Sequence, residues 1–185
     1  MALFSLLIGL GAALGVWQVA RYAPLRETGR WVDAALVSLG LALLGSRAVY
    51  VAFEWSYYSA RPLEIFQVNL GGLAWPGAAL GWLVSVLLAA LVWRIPLGAV
   101  ADGLAHLLAP LAIGTWLGCW QSGCAYAAAL PPAAWWGIPA PDESGLLASR
   151  FPLQPLAALF ILAYEWAMTA SLRFPKDGGL RAALT

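Results

Sequence analysis

The chain has 185 residues, of which 62% are hydrophobic and 10% charged, and its formal net charge is +1. An average soluble domain is about 25% charged, so there is too little polar surface here to cover a water-soluble fold of this length. The nearly balanced charge also gives no reason to expect nucleic acid or an acidic partner.

The first apolar stretch is Ala2–Ala20. No basic residue precedes Leu3, and Arg21, Arg26 and Arg30 follow the stretch, so it reads as a retained first span rather than a cleaved secretory signal. Four more stretches follow: Trp31–Phe53, Leu73–Trp93, Ala99–Cys119 and Leu153–Leu172. Each is close to the ~20 apolar residues that cross a bilayer as a helix. They are too long and too uniformly apolar for barrel strands, and lipid tolerates only helices or closed barrels. The predicted fold class is therefore all-α: a polytopic transmembrane helix bundle of about five spans, forming one membrane domain over residues 1–185.

Lys and Arg set the direction. The first and third connections and the tail hold Arg21, Arg26, Arg30, Arg94, Arg173, Lys176 and Arg181. The second connection holds Arg61, and the long fourth one, about residues 120–152, holds Arg150 beside Asp142 and Glu143. The richer side is cytoplasmic by the positive-inside rule, which places the N-terminus outside and the C-terminus inside. Trp31, Trp55, Trp75, Trp93, Trp120, Trp135 and Trp136 fall near span ends or in the outer loop, where indoles anchor at headgroup level. The proline-broken run Leu130–Gly137 in that loop is expected either to lie along the interface over a site or to serve as a connector.

Few side chains in the spans carry chemistry. Arg47 lies within the second span, with Tyr50 and Glu54 on the same helix face. It either snorkels or pairs with Glu54, or its fork holds the phosphate of an anionic phospholipid. Asp102 and His106 are an i, i+4 pair in the fourth span, and His106 is the sole histidine. It is either a packed residue or a proton acceptor of near-neutral pKa. Glu165 in the fifth span is either a protonated, hydrogen-bonded carboxyl or a second candidate base. Cys119 and Cys124 are five apart, so a disulfide requires the helix to end between them, which Gly118 and Gly123 permit; two unpaired cysteines are the alternative. A metal site is not supported, because there is no second ligand cluster.

Taken in order, these landmarks resemble a known family. Gly45-Ser46-Arg47-Ala48-Val49-Tyr50-Val51-Ala52-Phe53 looks like the G-x-R-x-x-Y-V-x-F segment of prolipoprotein diacylglyceryl transferases. Tyr57 follows, then Pro62-Leu63-Glu64-Ile65, similar to that family's N-P-L-E-I. Gly71-Gly72-Leu73-Ala74-Trp75-Pro76-Gly77, with Gly81 beyond, resembles its glycine-rich turn. Gly118 to Cys124 occupies the place of the family signature, and Arg150-Phe151-Pro152-Leu153-Gln154 resembles R-H-P-S-Q. The family's turn histidine falls on Pro76 and its signature arginine on Trp116; its asparagine and glutamate fall on Cys119 and Cys124.

The resemblance implies transfer of a diacylglyceryl group from phosphatidylglycerol to a lipobox cysteine in the bacterial inner membrane, with no cofactor. It implies Arg47, Tyr50 and Arg150 as headgroup ligands, and Gly71, Gly72, Gly77, Gly118 and Gly123 as turn residues. His106 and Glu165 are the candidate bases. The implied partners are an anionic phospholipid and a prolipoprotein signal peptide. The second function kept open is a non-catalytic lipid-binding or scaffold subunit derived from the same fold.

Overall fold

The computed structural model describes residues 2–68, 71–131, 134–142 and 144–173, with the side chains of residue 2 and of residues 168–173 excepted. Glu143, Lys176 and Arg181 of the charge pattern lie outside the described residues.

Among the described residues there are seven helices, most of them on the apolar stretches. They are α1 (Ala2–Tyr22), α2 (Thr28–Phe53), the short α3 (Trp55–Tyr58), α4 (Trp75–Trp93), α5 (Leu97–Ala105), α6 (Leu108–Ser122) and α7 (Leu153–Arg173). A 3-10 turn spans Pro62–Phe66, and a two-stranded hairpin joins β1 (Ile138–Pro141) to β2 (Leu147–Arg150). Four helical segments among the described residues are long and apolar enough to cross a membrane: Leu3–Tyr22, Thr28–Phe53, Trp75–Trp93 and the α5–α6 stretch Leu97–Ser122. With α7, the result is a polytopic membrane helix bundle.

Prolines set several boundaries. Helix α4 stops at Trp93 because Arg94 turns left-handed (φ 56°) ahead of Pro96. The fourth apolar stretch, expected as one helix, is broken between Ala105 and Leu108. Pro110 supplies the reason: it has no N–H for the carbonyl of His106 four residues back, and its ring would strike that carbonyl.

Contacts divide the chain into two compact units, one of residues 12–108 and one of residues 1–11 with 109–185. In the first, α2 and α4 run antiparallel at very close range. A Cβ on Gly77 or Gly81 would collide with the backbone of Gly45 or Leu41. This is the small-residue helix contact that replaces hydrophobic drive inside a membrane. One step further along the seam, the buried Ser85 hydroxyl donates to Ser38 Oγ at 2.7 Å. Val100, Leu104 and Leu107 complete this core, together with Val19 and Val86.

In the other unit the start of α1 lies on α6, with Gly11 against Pro110, Leu7 against Gly114 and Phe4 against Gly118. Gly77 and Gly118, expected in turns, are thus helical positions chosen for close approach. The connection between α6 and α7 also holds the hairpin, paired Ile138↔Arg150 through Pro141↔Leu147, which the proline-rich sequence did not suggest.

Candidate functional site

Unit 12–108 contains a cleft of about 270 Å³ at the C-terminal end of α2, lined by Arg47, Tyr50, Glu54, Tyr57, Tyr58, Glu64, Gly71 and Gly72. The spacing 47, 50, 54 puts three of these on one face of α2. Helix α3 supplies two tyrosines, and Glu64, Gly71 and Gly72 close the far wall.

Arg47 organises that wall. It is buried, at 6% exposure. Its Nε donates to the Ile65 carbonyl at 2.9 Å, and Nη1 to the carbonyls of Gly71 (2.7 Å) and Gly72 (3.1 Å). Nη2 donates to Glu64 O at 2.6 Å and more weakly to Gln67 O at 3.5 Å. A guanidinium has five N–H groups, and here all five are taken by main-chain acceptors. Tyr58 lies 5.1 Å below the guanidinium carbon, adding a cation–π contact. Arg47 forms no ion pair with Glu54: among the described residues the one salt bridge joins Arg150 to Asp142.

Two glycines let the loop wrap the cation. Gly71 and Gly72 have φ of +89° and +77°, a region that side-chain-bearing residues rarely enter. A Cβ on Gly72 would also press on the Tyr50 ring and on Nη1 of Arg47. The remaining polar groups are acidic and phenolic. Tyr57 donates to Glu64 Oε2 at 2.7 Å, Arg61 stacks on Tyr57 at 4.6 Å, and Glu54 caps the end of α2. With Arg47 held by carbonyls, the cleft presents two carboxylates and three phenol rings.

Arg150 is organised separately, within the unit that holds the hairpin. Its Nη1 donates to Ala127 O at 2.9 Å, its Nη2 meets Asp142 Oδ2 at 3.1 Å, and Tyr126 stacks at 4.7 Å. Its buried Nε has no partner among the described residues. Asp142 Oδ1 accepts from the backbone N–H groups of Ser144 and Leu146 and from the Ser144 hydroxyl, closing the hairpin turn. The Ser144 hydrogen bond, then the backbone donors and Arg150, hold the Asp142 carboxyl below its ordinary pKa. A disulfide joins Cys119 to Cys124. It closes where α6 ends at Ser122, Gly123 turns left-handed (φ +72°) and the Cys124 N–H reaches back to Cys119 O.

His106 does not line the Arg47 cleft. It stacks on Tyr22 at 4.5 Å and lines a second cleft of the same unit with Asp102. Glu165 is a half-buried residue of α7 in the other unit. The structure therefore joins Arg47, Tyr50, Gly71 and Gly72 in one site and gives His106 other surroundings. Glu54, Tyr57, Tyr58 and Glu64 were not named as site residues from the sequence; the signal for Glu64 and Tyr57 was their place in the Gly45–Gly81 block. Trp31, near the start of α2, is buried against Gly103 and edge-on to Trp93.

A family model described as prolipoprotein diacylglyceryl transferase matches residues 1–176. Among similar proteins are phosphatidylglycerol–prolipoprotein diacylglyceryl transferases of Bacillus licheniformis, 37% identical over 116 residues, and of Bacillus cytotoxicus, 36% identical over 118 residues. A third, from Bacillus velezensis, is 35% identical. Each match covers 61% of this chain and 43% of the relative, so the chain spans less than half the length of these relatives.

Proposed function

The chain belongs to the prolipoprotein diacylglyceryl transferase family, and from that premise we propose that it moves a diacylglyceryl group from phosphatidylglycerol to a cysteine thiol of a secreted preprotein. It is a multi-pass bacterial membrane protein; the proposal places it in the inner membrane with Arg21, Arg26 and Arg30 on the cytoplasmic side and the Arg47 cleft at the outer surface. The supporting observation is that eight residues of the Gly45–Gly81 block, which carries the family's motifs, line one polar cleft.

In this reading the thiol sulfur bonds to the glyceryl carbon as that carbon's bond to the phosphate oxygen breaks, and glycerol phosphate leaves. Arg47 is a positioning residue, because its N–H groups hold the loop and leave no fork for phosphate. Glu54 takes the thiol proton: it lines the cleft and its carboxylate has no hydrogen bond or ion pair among the described residues. Glu64 is already engaged by Tyr57. Tyr50 and Tyr58 wall the glyceryl group.

The test is incubation of the full chain in vesicles with phosphatidylglycerol and a lipobox peptide, followed by mass spectrometry. A thioether-linked diacylglyceryl peptide is expected. Its absence above the protein-free background refutes transfer and leaves the non-catalytic lipid-binding reading in its place.

A further inference from the structure

The second cleft lies at the opposite end of α2. Trp31 in its wall and Arg47 in the first cleft are separated by about 24 Å of helix at 1.5 Å per residue. Its volume is about 210 Å³, and its walls include Tyr22, Pro24, Trp31, Ala99, Asp102 and His106. Helix α1 ends here and α5 begins just before, so the cleft sits where apolar helices give way to polar loop, at the level of lipid headgroups.

Its chemistry is one-sided. Asp102 is an exposed carboxylate with no ion pair or hydrogen bond among the described residues, and no Lys or Arg lines the cleft. Two nearby arginines are engaged elsewhere, Arg21 over Trp17 at 5.4 Å and Arg30 over Trp93 at 4.5 Å. The stacked Tyr22–His106 pair offers aromatic faces beside the carboxylate, and such faces attract cations. Trp31, 7% exposed, carries an enclosed indole N–H with no acceptor among the described residues. Gly103 makes room for that ring, because a Cβ there would strike it. A carboxylate beside aromatic faces and apolar walls matches a ligand with a primary ammonium group.

We propose that this cleft binds the primary-ammonium headgroup of a glycerophospholipid, with the ammonium on Asp102 beside the Tyr22–His106 stack. This goes beyond the transfer reading and does not depend on it, since the lipid differs and lies at the other end of the helix.

The test is native mass spectrometry of the full chain in detergent micelles doped with phosphatidylethanolamine, phosphatidylcholine or phosphatidylglycerol. Wild type should retain phosphatidylethanolamine about tenfold better than phosphatidylcholine, whose quaternary head cannot donate to a carboxylate. Asp102→Asn should abolish that preference. Asp33→Asn, the same charge change on an exposed residue outside the cleft, should keep it. Equal retention of the two lipids by wild type overturns the proposal, and so does a preference that survives in Asp102→Asn. Should that variant fail to fold, the wild-type comparison alone decides. Soluble phosphoethanolamine should displace the lipid only in large excess; displacement at equal concentration, or by a lysine peptide, overturns the lipid assignment.

Discussion

Replacing Arg47 by alanine removes the cation that ties the Glu64–Gly72 loop to α2. Five main-chain carbonyls lose their donor, at distances from 2.6 to 3.5 Å. Each charged hydrogen bond contributes about 1.5–3 kcal/mol net, but the contributions do not add in full because water can enter the open cleft and solvate the carbonyls. Losing one side of a buried charged network costs about 3–5 kcal/mol, and the lower end is appropriate here. About 3 kcal/mol corresponds to roughly 100-fold in the loop's opening equilibrium. The amides to follow are those the closed loop protects: Glu64, Gln67, Gly71 and Ala74, which donate to the carbonyls of Arg61, Glu64, Val68 and Ser46. Hydrogen exchange at these positions should accelerate by up to about 100-fold in Arg47→Ala, to the limit set by unprotected exchange, while amides in the middle of α2 and α4 stay unchanged. Arg47→Lys should fall between, since an ammonium has three donors on one centre in place of a flat fork. Exchange in the loop that matches wild type would refute the assignment of Arg47 as its organiser.

Glu54→Gln keeps the size of the side chain and removes its proton affinity; initial rates of thioether formation should fall at least about 100-fold, with the fold intact by circular dichroism. Gly81→Leu should separate α2 from α4, at a cost of about 1–3 kcal/mol or more, read as a lower thermal midpoint in detergent. Gly40→Ala, whose Cβ would meet nothing, should hold or slightly raise that midpoint. The hairpin should be acid-sensitive. The Asp142 pKa is lowered from the ordinary 3.8, so its contribution is complete above that value and is lost as pH falls through the folded-state value. Protection of the Leu146 amide, measured against its intrinsic rate at each pH, should therefore fall in acid, and Asp142→Asn should remove the dependence.

The helices were legible because the bilayer sets a length that sequence can meet. The apolar stretch Trp31–Phe53 is a helix over Thr28–Phe53, and Leu73–Trp93 is a helix over Trp75–Trp93. The break after Ala105 was also written in the sequence, in Pro110, but its apolar neighbours read as one uninterrupted run. The hairpin was hidden for a different reason: Pro139 and Pro141 argue against a strand, and the turn depends on Asp142 reaching Ser144, Leu146 and the distant Arg150. Arg47 was recognisable as a site residue, whereas its partners were not. Main-chain carbonyls are the same at every position, so no residue pattern could reveal that five of them converge on one guanidinium. Glu54 and Glu64 lie beyond the apolar core of α2, where charge is unremarkable until the loop folds back.

The most direct measurement is photolabelling of the full chain in vesicles with a phosphatidylglycerol bearing a photoreactive group on its glycerol head, mapped by peptide mass spectrometry. Adducts on Tyr50, Glu54, Tyr57 or Tyr58, suppressed by excess unlabelled phosphatidylglycerol, are the predicted result. Saturable labelling that avoids these residues and falls elsewhere in the chain would contradict the placing of the donor lipid in the Arg47 cleft.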